Sequence, residues 1–162
     1  MGSAVNISNF RTNSIDVELS LDTSAYTAGD VLADFQVFYP AGDKAQKIRG
    51  TINDVKVVDK DDQGLEMDIV FAQIDDETDT ITLGTENSAV SISDADAQKI
   101  LGIVNVSSYT DLVGSQFGSP NSFTPIAFNY TQGSGIYVGA ITRGAPTHTA
   151  NGVVLKLNIS TE

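Results

Sequence analysis

The sequence predicts an all-β domain, an antiparallel β-sandwich or jelly-roll-like barrel with one short α-helix at about residues 94–101. Three observations carry this expectation. Short runs alternate apolar and polar side chains along most of the chain. Turn signals built from Gly, Pro, Asn and Asp recur roughly every 8–12 residues, enough for about seven to nine short strands. One stretch alone has helix-capping residues at both ends.

Taken in order, residues 1–14 are small and polar, with Val5, Ile7 and Phe10 isolated among them. They read as an N-terminal arm that either frays or lies on a neighbour, and the Val5–Ile7 spacing suits an added strand. A single β domain then covers 15–162. Ile15, Val17, Leu19 and Leu21 share one face of a strand, with Asp16, Glu18 and Ser20 on the other. Val31 to Tyr39 places Val31, Ala33, Phe35, Val37 and Tyr39 together, and Pro40 ends the run because it has no N–H for a ladder. In Ile48 to Val58 the phase breaks at Asn53-Asp54, which predicts a bulge or a turn.

Val55 to Ala72 reads as a β-hairpin. Val55 and Val57 lie on one arm, Leu65, Met67, Ile69 and Phe71 on the other, and Asp59 to Gly64 connects them. Gly64 is expected to supply a positive φ there. Ile74 to Thr80 is an acidic loop, and Ile81 to Gly84 a short strand or an ordered loop. The helix is predicted from Ser93 as N-cap and from Asp94 and Asp96 at the positive end of the helix dipole. Gly102 is its left-handed stop. Val104 to Val106 is a short strand, residues 107–121 a polar loop, and Phe123, Ile126 and Phe128 alternate loosely. Ile136 to Ile141 and Val153 to Ile159 are strong strands.

Composition narrows the function. A chain of 162 residues is one domain with room for a core. Its net charge of −12 opposes binding to nucleic acid or anionic membranes. The absence of cysteine excludes disulfides, thiolate nucleophiles and Cys-ligated metal sites. The N-terminus has no basic segment followed by an apolar one, so no signal peptide is expected. No apolar run approaches the ~20 residues of a membrane span.

No catalytic constellation stands out, and no cofactor is expected. Asp59, Asp61 and Asp62 resemble the start of a calcium loop, with Gly64 in sixth place. Gln63 in fifth place and Val70 in twelfth exclude an EF-hand, whose last ligand must be a carboxylate. An irregular calcium site on these three residues is the alternative to the expected reading, a solvated hairpin tip. Asp75, Asp76, Glu77 and Asp79 form a second acidic patch, with no close apolar flank to raise a carboxyl pKa. His148, the only histidine, sits between threonines after Pro146 and reads as part of a surface loop. Asn6, Asn105, Asn129 and Asn158 open Asn-x-Ser/Thr triplets that a Ser/Thr-rich chain acquires by chance. Phe117 and Phe123 lie in polar surroundings, as core residues or as anchors at a subunit interface.

Four segments taken together resemble a known group: Leu21 to Leu32 (LDTSAYTAGDVL), Val58 to Gly64 (VDKDDQG), Ser91 to Asp96 (SISDAD) and Ala140 to Thr147 (AITRGAPT). The chain resembles small structural proteins of tailed bacteriophages over about residues 15–159. That resemblance implies a virion component, first of all a capsid decoration (cement) protein. It further implies binding as a homotrimer to the major capsid protein, on the capsid surface, after synthesis in the host cytoplasm. The alternative is a tail or receptor/carbohydrate-binding module of the virion. The group has no catalytic residues to transfer.

Overall fold

Among the described residues the alternating runs form nine strands and the Ser93 cap opens one helical turn, although not always with the expected neighbours. The computed structural model describes residues 11–40, 48–76, 78–131 and 134–162. Its elements are β1 (Arg11–Glu18), β2 (Val31–Phe38), β3 (Ile48–Asp59), β4 (Met67–Gln73), α1 (Asp94–Ala97), β5 (Ile100–Asp111), β6 (Gln116–Pro120), β7 (Ile126–Tyr130), β8 (Ile136–Thr142) and β9 (Val153–Thr161). Every strand pair is antiparallel, in the order β1-β9-β3-β6-β5-β4-β8-β2, with β7 also on β3. The sheet curls until its edge strands approach each other. There the Gln36 side chain accepts the Ser20 N–H at 2.8 Å and donates to the Glu18 carbonyl at 3.2 Å. An amide side chain thus ties the two edges, a common weak point of open sheets.

The core fills the inside of the curl. Val153, Leu155, Leu157 and Ile159 of β9 meet Ile52, Val55 and Val57 of β3 and Ile69 and Phe71 of β4, all buried. Each such side chain contributes about 1.5–3 kcal/mol by leaving water. A second, smaller cluster lies on the opposite face of β4. Val31, Val70, Leu83 and Ile141 are buried there, with Val90, Ile92 and Ile100 packed against them. The segment 81–92 is an ordered loop that covers this face, and the Leu83 N–H binds Asp34 Oδ1 at 2.7 Å.

Several expectations change. Residues 11–14, expected in the arm, are paired strand, with Arg11 opposite Thr161. Val5, Ile7 and Phe10 fall outside the described residues. The Val55–Ala72 hairpin does not form: β3 lies between β9 and β6/β7, and β4 between β5 and β8. The physical reason is burial on both faces of β4, where only Gln73 is not buried. Such a central strand needs a partner on each edge and a covering layer on each side, which period-two alternation does not reveal. The bulge at 53–54 is present as a register shift between Ile52 and Asp54 against β9. In β2 Val31 and Ala33 are buried as expected, but after two register shifts Val37 is 41% exposed and Phe38 is buried.

The helix spans only Asp94–Ala97. Ser93 caps it as expected, its Oγ accepting the Asp96 N–H at 3.1 Å. Ile100 and Leu101, expected on the helix, open β5 instead, and Gly102 pairs with Phe71 inside that strand. Residues 107–121 are not a polar loop either. β5 continues to Asp111 and returns as β6, which brings Phe117 opposite Thr110 and Val58.

Candidate functional site

The connection after β3 is built on one carboxylate. Asp59 has no exposed surface. Its Oδ1 accepts the Asp61 N–H at 3.0 Å, and its Oδ2 accepts the N–H groups of Gln63 at 3.0 Å and Gly64 at 2.8 Å. Gly64 adopts φ 58°, the positive value expected for it. Asp59 therefore holds the donors of the turn that follows it, as a cap holds a helix start.

Asp61 reaches across to the loop before β9. Its Oδ2 accepts the Thr149 N–H at 2.8 Å, and the Thr149 hydroxyl donates to Oδ1 at 2.9 Å. His148, with a side chain only 1% exposed, places Nδ1 3.3 Å from Asp61 Oδ2 and 3.8 Å from Asp59 Oδ1. The Tyr26 ring stands edge-on to the imidazole at a centroid distance of 6.5 Å. Burial pushes the Tyr26 phenol up to about 12, and its hydroxyl donates to the Leu32 carbonyl at 3.1 Å. Burial also opposes ionisation of Asp61, but the hydrogen bonds from Thr149 and His148 outweigh it and hold the carboxyl below its ordinary value. Gly152 completes the fit, because a Cβ there would fall 1.8 Å from Asp61 Oδ2.

The solvated tip and the surface histidine are both corrected by this geometry. Asp59 and Asp61 come together with His148, whereas Asp62 turns away and accepts from Gln116 Nε2 at 2.7 Å. One ligand atom from each of Asp59, Asp61 and His148 lies within 4.8 Å of the others, the spacing of a cation site. Both carboxylates, however, already hold N–H or hydroxyl donors. The arrangement works first as a polar tie between two loops. Spacing could not have revealed it, since His148 and Asp61 are 87 residues apart. The second acidic patch is likewise organised internally. Asp76 accepts the Thr78 N–H at 2.8 Å, and Lys99 Nζ meets Asp79 at 2.9 Å and Asp96 at 3.0 Å.

Two other surface features stand apart from this corner. A cleft of about 600 Å³ opens between residues 101–105 of β5 and residues 121–127. Among the described residues, β5 has no strand partner on that side over 100–105, and β7 pairs only with β3. Phe123 lines the cleft and packs against the core, which places one of the two aromatics left open by the sequence. Among the described residues no Asp, Glu, Lys or Arg lines it, and Asn105, Asn121, Ser122 and Thr124 supply polar groups.

At the far end of β5, the turn into β6 presents Leu112 at 55% exposure and Val113 at 94%. The Leu112 N–H binds the Ser115 carbonyl at 2.8 Å, and φ is 60° at Val113 and 109° at Gly114. Positive φ at both central positions is the type I′ pattern, which favours Asn-Gly. A β-branched valine held there costs about 1–2 kcal/mol. Leu-Val-Gly-Ser carries no usual hairpin signal, so sequence reasoning missed this turn.

No protein-family model and no curated protein sequence matches the chain. Among the described residues, no helix is long and apolar enough to cross a membrane.

Proposed function

We propose that the chain is a structural virion protein of a tailed phage, a capsid decoration protein that stabilises the head by binding between major capsid subunits. The observation that carries this reading is the pairing of an uncharged cleft and an exposed apolar turn on a domain of net charge −12. Such surfaces suit burial against a protein partner, where apolar anchors dominate the energy. The resemblance of four turn and cap segments to phage structural proteins points the same way. The carboxylates of the Asp59–Asp61–His148 corner are engaged in holding loops, which favours a binding role over acid–base chemistry. Phe123 and the arm residues Val5, Ile7 and Phe10 are the proposed contacts. Phe117 is held within β6.

A protein that binds only the assembled shell stabilises it by mass action. Co-sedimentation with assembled empty capsids, against unassembled capsid protein as control, tests the reading. Saturable binding to the shell alone is expected. Binding to neither would overturn it and direct attention to tail assemblies and glycans.

A further inference from the structure

Two carboxylates meet one histidine where the connection after β3 packs against the loop before β9, and the charges there do not balance. The Asp59 side chain is fully buried, and that of Asp61 is 15% exposed. Among the described residues, His148 is the sole ion-pair partner of either carboxylate, and it is cationic only with both ring nitrogens protonated. The lysine of the turn, Lys60, pairs with Glu18 at 3.1 Å instead. Buried carboxylates without a fixed counter-charge are costly, and coordination of a cation removes that cost.

A second observation lies on the core side of the same corner. Tyr109 packs against the core and stands across β6 from Val57, through Gly118, two residues before Asp59. Its hydroxyl is buried without a hydrogen-bond partner among the described residues. Burial pushes this phenol up, and the Asp59 charge adds to the effect. An unmatched buried hydroxyl is one mark of a place that a water or an ion fills.

The distances select the ion. His148 Nδ1 is 3.3 Å from Asp61 Oδ2 and 3.8 Å from Asp59 Oδ1, and one ligand atom from each residue lies within 4.8 Å of the other two. Ligands at about 2.0–2.1 Å around a tetrahedral ion stand about 3.3–3.4 Å apart, so small shifts close the set. Imidazole with carboxylate suits zinc and its first-row neighbours, whereas calcium takes about six to eight oxygens. Asp59 Oδ1 has a lone pair to offer, since among the described residues it accepts only the Asp61 N–H.

We propose that Asp59, Asp61 and His148 form a binding site for a divalent first-row metal ion of the zinc class. Asp59 Oδ1, Asp61 Oδ2 and His148 Nδ1 bind the ion, and water completes its shell. The His148 contact with Asp61 gives way to the ion, the imidazole keeping its proton on Nε2. The Thr149 N–H and hydroxyl stay on Asp61. The ion fastens the connection after β3 to the loop before β9 and neutralises both carboxylates. The proposal rests on this corner and not on the virion reading.

Zinc chloride, titrated into the chelator-treated full chain, is the test. Excess magnesium occupies the acidic surface of a chain at −12, so that only a built site still takes zinc. Uptake should saturate at one ion per chain, and the thermal unfolding midpoint should rise with zinc concentration. The chain has a single histidine, so its NMR ring signals report on the site alone and should move as zinc binds. His148→Gln keeps an N–H donor for Asp61 and should weaken zinc binding about tenfold or more. Uptake that never saturates, ring signals that stay in place, or unchanged affinity in His148→Gln would each overturn the proposal. Should His148→Gln fail to fold, the ring signals of the wild-type chain decide alone.

Discussion

The turn at 59–64 and the turn at 112–115 both leave the end of a twelve-residue strand, β3 in one case and β5 in the other. The first reads Asp-Lys-Asp-Asp-Gln-Gly, and the second Leu-Val-Gly-Ser. Hydrophobicity alone would expose the first and cover the second. The structure does the reverse at the residues that matter: Asp59 is fully buried, whereas Val113 is 94% exposed. A carboxylate can go inside when its oxygens meet backbone donors that would otherwise be unpaired. At Val113 an apolar side chain stays outside on a backbone with φ 60°, which a β-branched residue rarely adopts. The first turn holds the fold, and the second costs it stability.

The largest effect separating the two should come from Asp59. Asp59→Ala leaves the N–H groups of Asp61, Gln63 and Gly64 without their acceptor and removes a carboxylate from beside His148. The expected loss is about 3–5 kcal/mol, read as a lower midpoint in urea. A loss under about 1 kcal/mol would mean that water replaces the carboxylate and that the corner is not a structural tie.

Acid should loosen the same corner. The folded-state pKa of Asp61 is depressed below 3.8, so its contribution is present above the unfolded value and disappears as pH falls through the folded one. Thermal melts should show the advantage of wild type over Asp61→Asn holding steady above about pH 5 and shrinking as pH falls from there through the folded value. Asp22, Asp76 and Asp96 are also depressed by hydrogen bonds, so the variant keeps some acid sensitivity of its own. A gap that stays constant across that range would remove Asp61 from the acid response.

The strands were legible where alternation meets a one-sided core. Val153, Leu155, Leu157 and Ile159 declare β9 outright, and Ser93 with Asp94 and Asp96 declares the helix start. Partnering was not legible. The Val55–Ala72 hairpin fails because Val70 belongs to a second apolar cluster with Val31, Leu83 and Ile141, a fact of tertiary packing. The helix end was misplaced because Gly102, a plausible stop, instead leaves room for Ile126, whose Cδ1 would lie 2.9 Å from a Cβ there. Asp59 and Asp61 were recognised as a cluster, but His148 and Thr149 join them only through the curl of the sheet. The cleft and the Val113 turn depend on backbone shape and on a stretch of β5 left unpaired on one side among the described residues, neither of which leaves a mark in residue spacing.

The smallest effect is the most direct test of the contrast between the turns. Val113→Asn should raise the free energy of unfolding by about 1 kcal/mol in urea, measured under conditions where both proteins are monomeric. A gain would show that the chain keeps a destabilising residue at an exposed position. No change, or a loss, would show that valine is at ease in this turn and would contradict the claim that the turn costs the fold stability.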